Sequence, residues 1–282
     1  MKDFNHKVAA ITGAGSGIGQ QLAVLLAKQG AQLALSDINE RGLAETAALL
    51  QSYQVKVTTT VLDVSDRKAM KAWADDTVKA HGKVNLIFNN AGVALGSTVE
   101  GMSYEELEWM MGINFWGVVY GTKEFLPHLK AAGEGHIINV SSLFGLTAQP
   151  TQSAYNASKF AVRGFTESLR QELDIQNNGV SATCVHPGGI RTNIANAARM
   201  NDSILSLGMN PEKASKEFNK LLRTPPEEAA RQILQAVRNN DRRLLIGNDA
   251  KMVELMQRLL PSGYQKIMVL GSKLQQRKAR AS

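Results

Sequence analysis

Apolar and polar positions follow two rhythms along this chain. Short uninterrupted apolar runs, the first at Val8–Ile11, suit strands buried on both faces of a parallel sheet. Helical stripes follow them, as in Leu22, Leu25 and Leu26 after the first run. The pattern predicts strands over 7–12, 31–36, 56–62, 84–88, 135–141, 180–185 and 243–246, with helices in the intervals. Strand after helix after strand argues for the α/β class. The expected architecture is a doubly wound parallel sheet of about seven strands, with helices on both faces and right-handed crossovers. Ligands bind such sheets at the carboxyl ends of the strands, near the point where strand order reverses.

Composition agrees. At 282 residues and 44% hydrophobic content, the chain can bury one large core. No apolar stretch approaches the roughly 20 residues of a membrane span. The N-terminus, M-K-D-F-N-H-K, leads directly into the first strand without the apolar segment of a secretory signal, so a cytoplasmic location is the default expectation. The single Cys184 excludes an internal disulfide and, in S-A-T-C-V-H-P, is expected to point into a strand-lined core. The five histidines show no metal-site spacing, and no metal is expected.

Charge divides the chain. Residues 1–222 carry 20 basic and 20 acidic side chains, whereas 223–282 carry 12 and 5, so the whole net charge of +7 lies in the last sixty positions. The expected organisation is one domain over 1–250, containing a helical lid at 193–222, followed by a basic amphipathic extension at 251–282. In the extension, Met252, Val253, Leu255, Met256, Leu259 and Leu260 fall on one helical side before Pro261. Tyr264, Ile267, Met268, Leu270 and Leu274 form a second apolar patch, followed by Arg277, Lys278 and Arg280. Packing on the core or on another subunit is one reading. Peripheral contact with an anionic membrane surface is another. Nucleic acid is not expected, because no reading motif is present and Tyr264 is the segment's one aromatic residue.

Candidate chemistry begins at the first strand, where V8-A-A-I-T-G-A-G-S-G-I-G reads as strand, glycine turn and helix. Gly13 allows the turn, Gly17 lets the backbone approach a pyrophosphate, and Gly19 permits tight helix–strand packing, while the helix N-terminal amides attract phosphate. The spacing T-G-x-x-x-G-x-G differs from the general G-x-G-x-x-G form. Asp37, just after the second strand, can accept hydrogen bonds from both hydroxyls of an adenosine ribose, and it would repel a 2′-phosphate, which favours NAD over NADP. Arg41 and Lys28 are the nearby cations that could offset this, or simply solvated helix surface. Farther on, Tyr155 and Lys159 in Y-N-A-S-K stand four apart, with Ser142 thirteen residues earlier. A phenol holds its proton to about pH 10, and a lysine one helical turn away can stabilise the phenolate.

Together T12-G-A-G-S-G-I-G19, Asp63, N89-N-A-G92, Asn114, Ser142, Y155-x-x-x-K159 and P187-G-G-I-R-T192 resemble the short-chain dehydrogenase/reductase family in its single-domain form of about 250 residues, in the family's order and nearly end to end. The resemblance implies a Rossmann fold and catalysis by Asn114, Ser142, Tyr155 and Lys159. Tyr155 as phenolate would remove the alcohol proton while hydride passes to the nicotinamide, and Ser142 would orient the reacting oxygen. Lys159 would lower the Tyr155 pKa and hold the nicotinamide ribose, while Asn114 would anchor a water in a proton relay. Implied cofactor positions are Gly13, Ser16, Gly17, Ile18, Gly19, Asp37, Asp63, Val64, Asn90, Ala91, Gly92, Tyr155, Lys159, Pro187, Gly188, Ile190 and Thr192. A neutral Ser16, where many NADP-using relatives carry a basic residue, again favours NAD.

Substrate choice is assigned to Asn193–Leu222. Met200, Ile204, Leu205, Leu207, Met209, Phe218, Leu221 and Leu222, with Leu143, Phe144, Leu146, Val93, Ala94 and Leu95, could line an apolar pocket. The expected activity is that of an alcohol dehydrogenase or carbonyl reductase on an uncharged, predominantly hydrophobic alcohol or ketone. A lipid-directed reductase at a membrane surface and a catalytically quiet NAD-binding scaffold are the alternatives. The resemblance further implies a homodimer or homotetramer built on the helices that carry Asn114 and Tyr155.

Overall fold

The computed structural model describes residues 1–210, 216 and 219–281, with side chains described through 274. Seven parallel strands form the central sheet in the order β3-β2-β1-β4-β6-β7-β9. They are β1 (Val8–Thr12), β2 (Gln32–Asp37), β3 (Val57–Val61), β4 (Leu86–Asn89), β6 (Gly135–Val140), β7 (Val180–Pro187) and β9 (Arg243–Ile246). Each of the seven predicted strands is present. The two-residue strands β5 (Leu95–Gly96) and β8 (Arg199–Met200) pair with each other outside this sheet.

Period-2 alternation assigns each strand residue to one of two cores. Ala9, Ile11, Leu33, Leu35, Leu86 and Phe88 face one side, against α1 (Gly17–Ala27) and α7 (Pro226–Asn239). Val8, Ala10, Ala34, Ile87 and Ile137 face the other, against α3 (Arg67–His81), α5 (Gly117–Ala131) and α6 (Ser153–Gln176). There Trp73 and Phe125 meet edge to face, 5.0 Å between centroids. Burial on both faces is why these strands read as continuous apolar runs.

Helix starts are set by short polar side chains. Asn39 caps α2 (Glu40–Leu50), Asp66 caps α3, and Ser103 forms a reciprocal capping box with Glu106 at the start of α4 (Tyr104–Met111). Between α4 and α5 the chain widens into one π-helical turn, Gly112–Trp116, and Asn114 lies in it, fully buried. Such turns redirect one side chain within an otherwise regular helix. After β9 come α8 (Asn248–Leu259) and α9 (Gly263–Ala281). The expected division at 250–251 therefore falls inside α8. The described part of the expected lid holds β8, a 3-10 helix at Asp202–Leu207 and helical residues at 216 and 219–221. Phe218 lies outside the described residues, as do the side chains of Arg277, Lys278 and Arg280.

Candidate active site

Strand order reverses between β1 and β4, and the sequence motifs gather at the carboxyl ends of those two strands and of β6 and β7. At β1, Gly13 and Gly17 take φ of +64° and +54°, a region that glycine enters without penalty. A Cβ on Gly19 would stand 2.1 Å from the Gly13 carbonyl oxygen, so helix α1 approaches the strand as closely as only glycine allows. No side chain caps the start of α1, which leaves its first-turn amides facing the loop. That donor set fits a pyrophosphate. Asp37 accepts the Gly15 amide at 2.8 Å through Oδ2 and the Asn39 amide at 2.9 Å through Oδ1. It thus holds the glycine loop as well as standing at its rim.

Asn90 clamps the loop from β4, its Nδ2 donating to the carbonyls of Thr12 at 3.0 Å and Gly13 at 3.2 Å. The Ala91 amide donates to Thr12 Oγ1 at 3.0 Å. Asp63 receives the Ser65 amide and hydroxyl, and Val64 is buried against Gly117. Ser16 is exposed and Ile18 half-buried. The P-G-G-I-R-T segment crosses from the opposite side. A Cβ on Gly17 would stand 2.9 Å from Thr192 Cγ2, while Ile190 is buried and Gly188 donates to Ile246 O at 2.9 Å. Of the two candidate cations, Lys28 is exposed at the far end of α1 and Arg41 is solvated beside Glu45.

The catalytic candidates converge where β6 meets α6. Ser142 follows β6, its Oγ accepts the Phe144 amide at 3.1 Å, and it is the side chain that pulls the Tyr155 phenol down. Lys159 is buried, and its Nζ donates to Val140 O at 3.0 Å and lies 5.7 Å from the centroid of the Tyr155 ring. Asn114 Oδ1 accepts the Val93 amide at 2.8 Å, and its Nδ2 donates to Val93 O at 2.9 Å and Ser158 Oγ at 3.3 Å. Gly92 completes the group. A Cβ there would meet Asn114 Oδ1 at 3.2 Å and Lys159 Nζ at 3.4 Å.

Burial dominates the electrostatics. It pulls Lys159 down to about 8 and pushes Tyr155 above its ordinary value, while the Ser142 hydrogen bond pulls the phenol back. The ammonium lies over the ring and is tied to Val140, so the group that opposes burial at the hydroxyl is Ser142. His186, next to Pro187, is buried in β7, lowered to about 4 and bonded through Nδ1 to Ser142 O at 2.9 Å. Cys184 is buried, with its thiol pushed up to about 12. Among the described residues no cluster of His, Cys, Asp or Glu could hold a metal.

Two contacts escaped the sequence reading. The Ala148 amide donates to the Tyr264 hydroxyl at 3.2 Å, and the Gly189 amide donates to Asp249 Oδ2 at 2.6 Å, so both C-terminal helices are tied to loops bordering the site. Tyr264 had been visible only as an apolar-patch residue. Of the apolar lid positions, Ile204 and Leu222 pack inward, whereas Leu205, Leu207 and Leu221 are exposed.

The family model for short chain dehydrogenases matches residues 7–203. SadH of Mycobacterium tuberculosis, named as an oxidoreductase, is 46% identical over 96% of this chain and 97% of its own. Estradiol 17-beta-dehydrogenase 11 of Pongo abelii is 31% identical over 93% of this chain and 82% of its own. A crystal structure of a short chain dehydrogenase/reductase from Burkholderia phymatum in complex with NAD superposes with a TM-score of 0.85, at 30% identity, covering 92% of this chain and 95% of that one.

Proposed function

The chain belongs to the short-chain dehydrogenase/reductase family, and from that premise we propose that it interconverts a secondary alcohol and a ketone on a predominantly hydrophobic substrate, using NAD in preference to NADP. The observation that carries this reading is the convergence of Ser142 and Tyr155 with a buried Lys159, whose Nζ lies 5.7 Å from the centroid of the Tyr155 ring. A bound nicotinamide cofactor supplies hydride acceptance or donation. In oxidation Tyr155 takes the proton from the alcohol oxygen, and in reduction it returns one to the forming alkoxide. Ser142 can donate to that oxygen or accept from it, and so serves both directions. Lys159, poised near 8, is able to exchange a proton close to neutrality, with Asn114 fixing the backbone of Val93 beside it.

The preference for NAD rests on the Asp37 carboxylate at the loop rim and on the solvated positions of Arg41 and Lys28. A hydrophobic substrate is supported by Phe144, edge to face with Tyr155, by Val93, which packs on the same small apolar cluster as Tyr155, and by the relative named for estradiol. The half-exposed Trp116 and Phe160 on the π-turn and α6 support a homo-oligomer through those helices.

The test is turnover with NAD and with NADP against secondary alcohols, sterols, long-chain alcohols and polyols. Oxidation of a hydrophobic secondary alcohol with NAD is the expected result. A preference for polyols would overturn the substrate class. Cofactor binding without turnover on any alcohol would establish the scaffold reading instead.

A further inference from the structure

The two C-terminal helices repeat one pattern. K251-M-V-E-L-M-Q-R-L259 and K266-I-M-V-L-G-S-K-L274 both read basic, apolar, two variable, Leu, two variable, basic, Leu, fifteen residues apart. At about 100° per residue each repeat gathers its basic and apolar members into an arc of about 120°. That arc faces outward on both helices. Met252, Leu255 and Leu259 on α8, and Ile267, Leu270 and Leu274 on α9, are 49–71% exposed. Six large apolar side chains on neighbouring helical segments are more than the scattered exposure normal for a globular surface.

Their polar flanks carry one sign. Residues 248–281 contain seven basic side chains and two acidic ones, Asp249 and Glu254. Asp249 accepts the Gly189 amide, and Glu254 is held by Arg243 and Arg258, at 2.9 Å each, facing the body of the protein. Lys251, Lys266 and Lys273 are exposed beside the apolar stripe. A second copy of the chain is a poor partner for such a surface, since a two-fold contact would bring the same cations against each other. An anionic bilayer is a good one, offering acyl chains to the apolar arc and phosphates to its rim.

We propose that α8 and α9 together form a docking surface for an anionic phospholipid bilayer, lying in its interface rather than crossing it. No helix among the described residues is long and apolar enough to cross. On the side of α9 away from the arc Met268, with Val269 at the edge, lines a cavity of about 420 Å³ shared with Ser97, Pro150, Ser153 and Asn156, next to the segment that leads into Tyr155. Docking therefore sets the bilayer beside a cavity that adjoins the catalytic helix. The surface is independent of cofactor choice and of the identity of the substrate.

The experiment is vesicle flotation of the full chain with phosphatidylcholine alone and with equimolar phosphatidylcholine and phosphatidylglycerol. Wild type is expected to float with the anionic vesicles only, and to be released by high salt. The variant K251E/K266E/K273E should lose at least about tenfold in partition, as should L255D/L270D, both with unchanged thermal melts, since every altered side chain is on the surface. Absence of flotation by wild type, equal flotation with neutral vesicles, or wild-type partition by the charge-reversed protein would each overturn the proposal. So would a wild-type oligomer in light scattering that L255D/L270D dissociates while vesicle binding stays the same, because the arc would then be a subunit interface.

Discussion

The proposed catalytic wall and the C-terminal helix pair break the same rule in opposite directions. Around Tyr155 the chain buries polar groups, with Asn114, Ser142, Ser158 and Lys159 all withdrawn from water. On α8 and α9 it exposes apolar ones, from Met252 to Leu274. Either inversion has a cost, desolvation in the first case and unrelieved apolar hydration in the second. Their remedies differ. The wall's central groups are held from within: Asn114 makes three hydrogen bonds to Val93 and Ser158, and Lys159 is held by Val140. Among the described residues the large apolar side chains of the outward arc, from Met252 to Leu274, stay exposed. A region that satisfies itself is built for fixed geometry, and one that does not is built for contact.

Substitutions should separate the two regions by magnitude. Lys159→Met conserves much of the volume while removing the ammonium, and steady-state kinetics should show a loss of at least about a hundredfold in turnover, in the range typical of general acid–base groups. Its stability should show a pH signature. Lys159 has a folded pKa of about 8 against an ordinary 10.5, so between those values the unfolded chain binds the extra proton and wild-type stability rises with pH. Urea melts should therefore show wild type gaining on Lys159→Met between pH 8 and 10; a constant difference would mean the ammonium is not desolvated. Next, Asn114→Ala strands the Val93 amide and carbonyl and should lower the unfolding free energy by about 1–3 kcal/mol, seen as a shifted denaturation midpoint with unchanged slope. Asp37→Ala should reduce the ratio of NAD to NADP efficiency by about tenfold. Smallest of all, Leu255→Asp on the exposed arc should alter stability by about 0.5 kcal/mol or less. A large loss there would erase the contrast, showing that the arc is packed.

Much of this contrast was legible beforehand. The strands at 7–12, 84–88 and 135–141 carry apolar runs bounded by glycine or asparagine turns, so period and punctuation agreed. The strand expected to end at 185 instead continues to Pro187, because His186 and Pro187 align with Leu245 and Ile246 of β9, a partner more than fifty residues away in the chain. The pairing of β5 with β8 and the bonds of Tyr264 to Ala148 and of Asp249 to Gly189 escaped for the same reason: they depend on how distant segments come to rest. Charge proximity between Tyr155 and Lys159 was inferred from helical spacing alone. Spacing brings the ammonium to the ring, but it carries no information about the depth of burial that sets both pKa values.

The central claim is that Tyr155 moves the proton in an oxidoreductase reaction. Tyr155→Phe removes one hydroxyl from a wall otherwise left intact. The decisive measurement is turnover of this variant with its best alcohol, paired with a titration of NADH binding. Loss of at least about a hundredfold in turnover with NADH affinity held within about threefold is the predicted result. Turnover near the wild-type rate would contradict it and move the proton to another group.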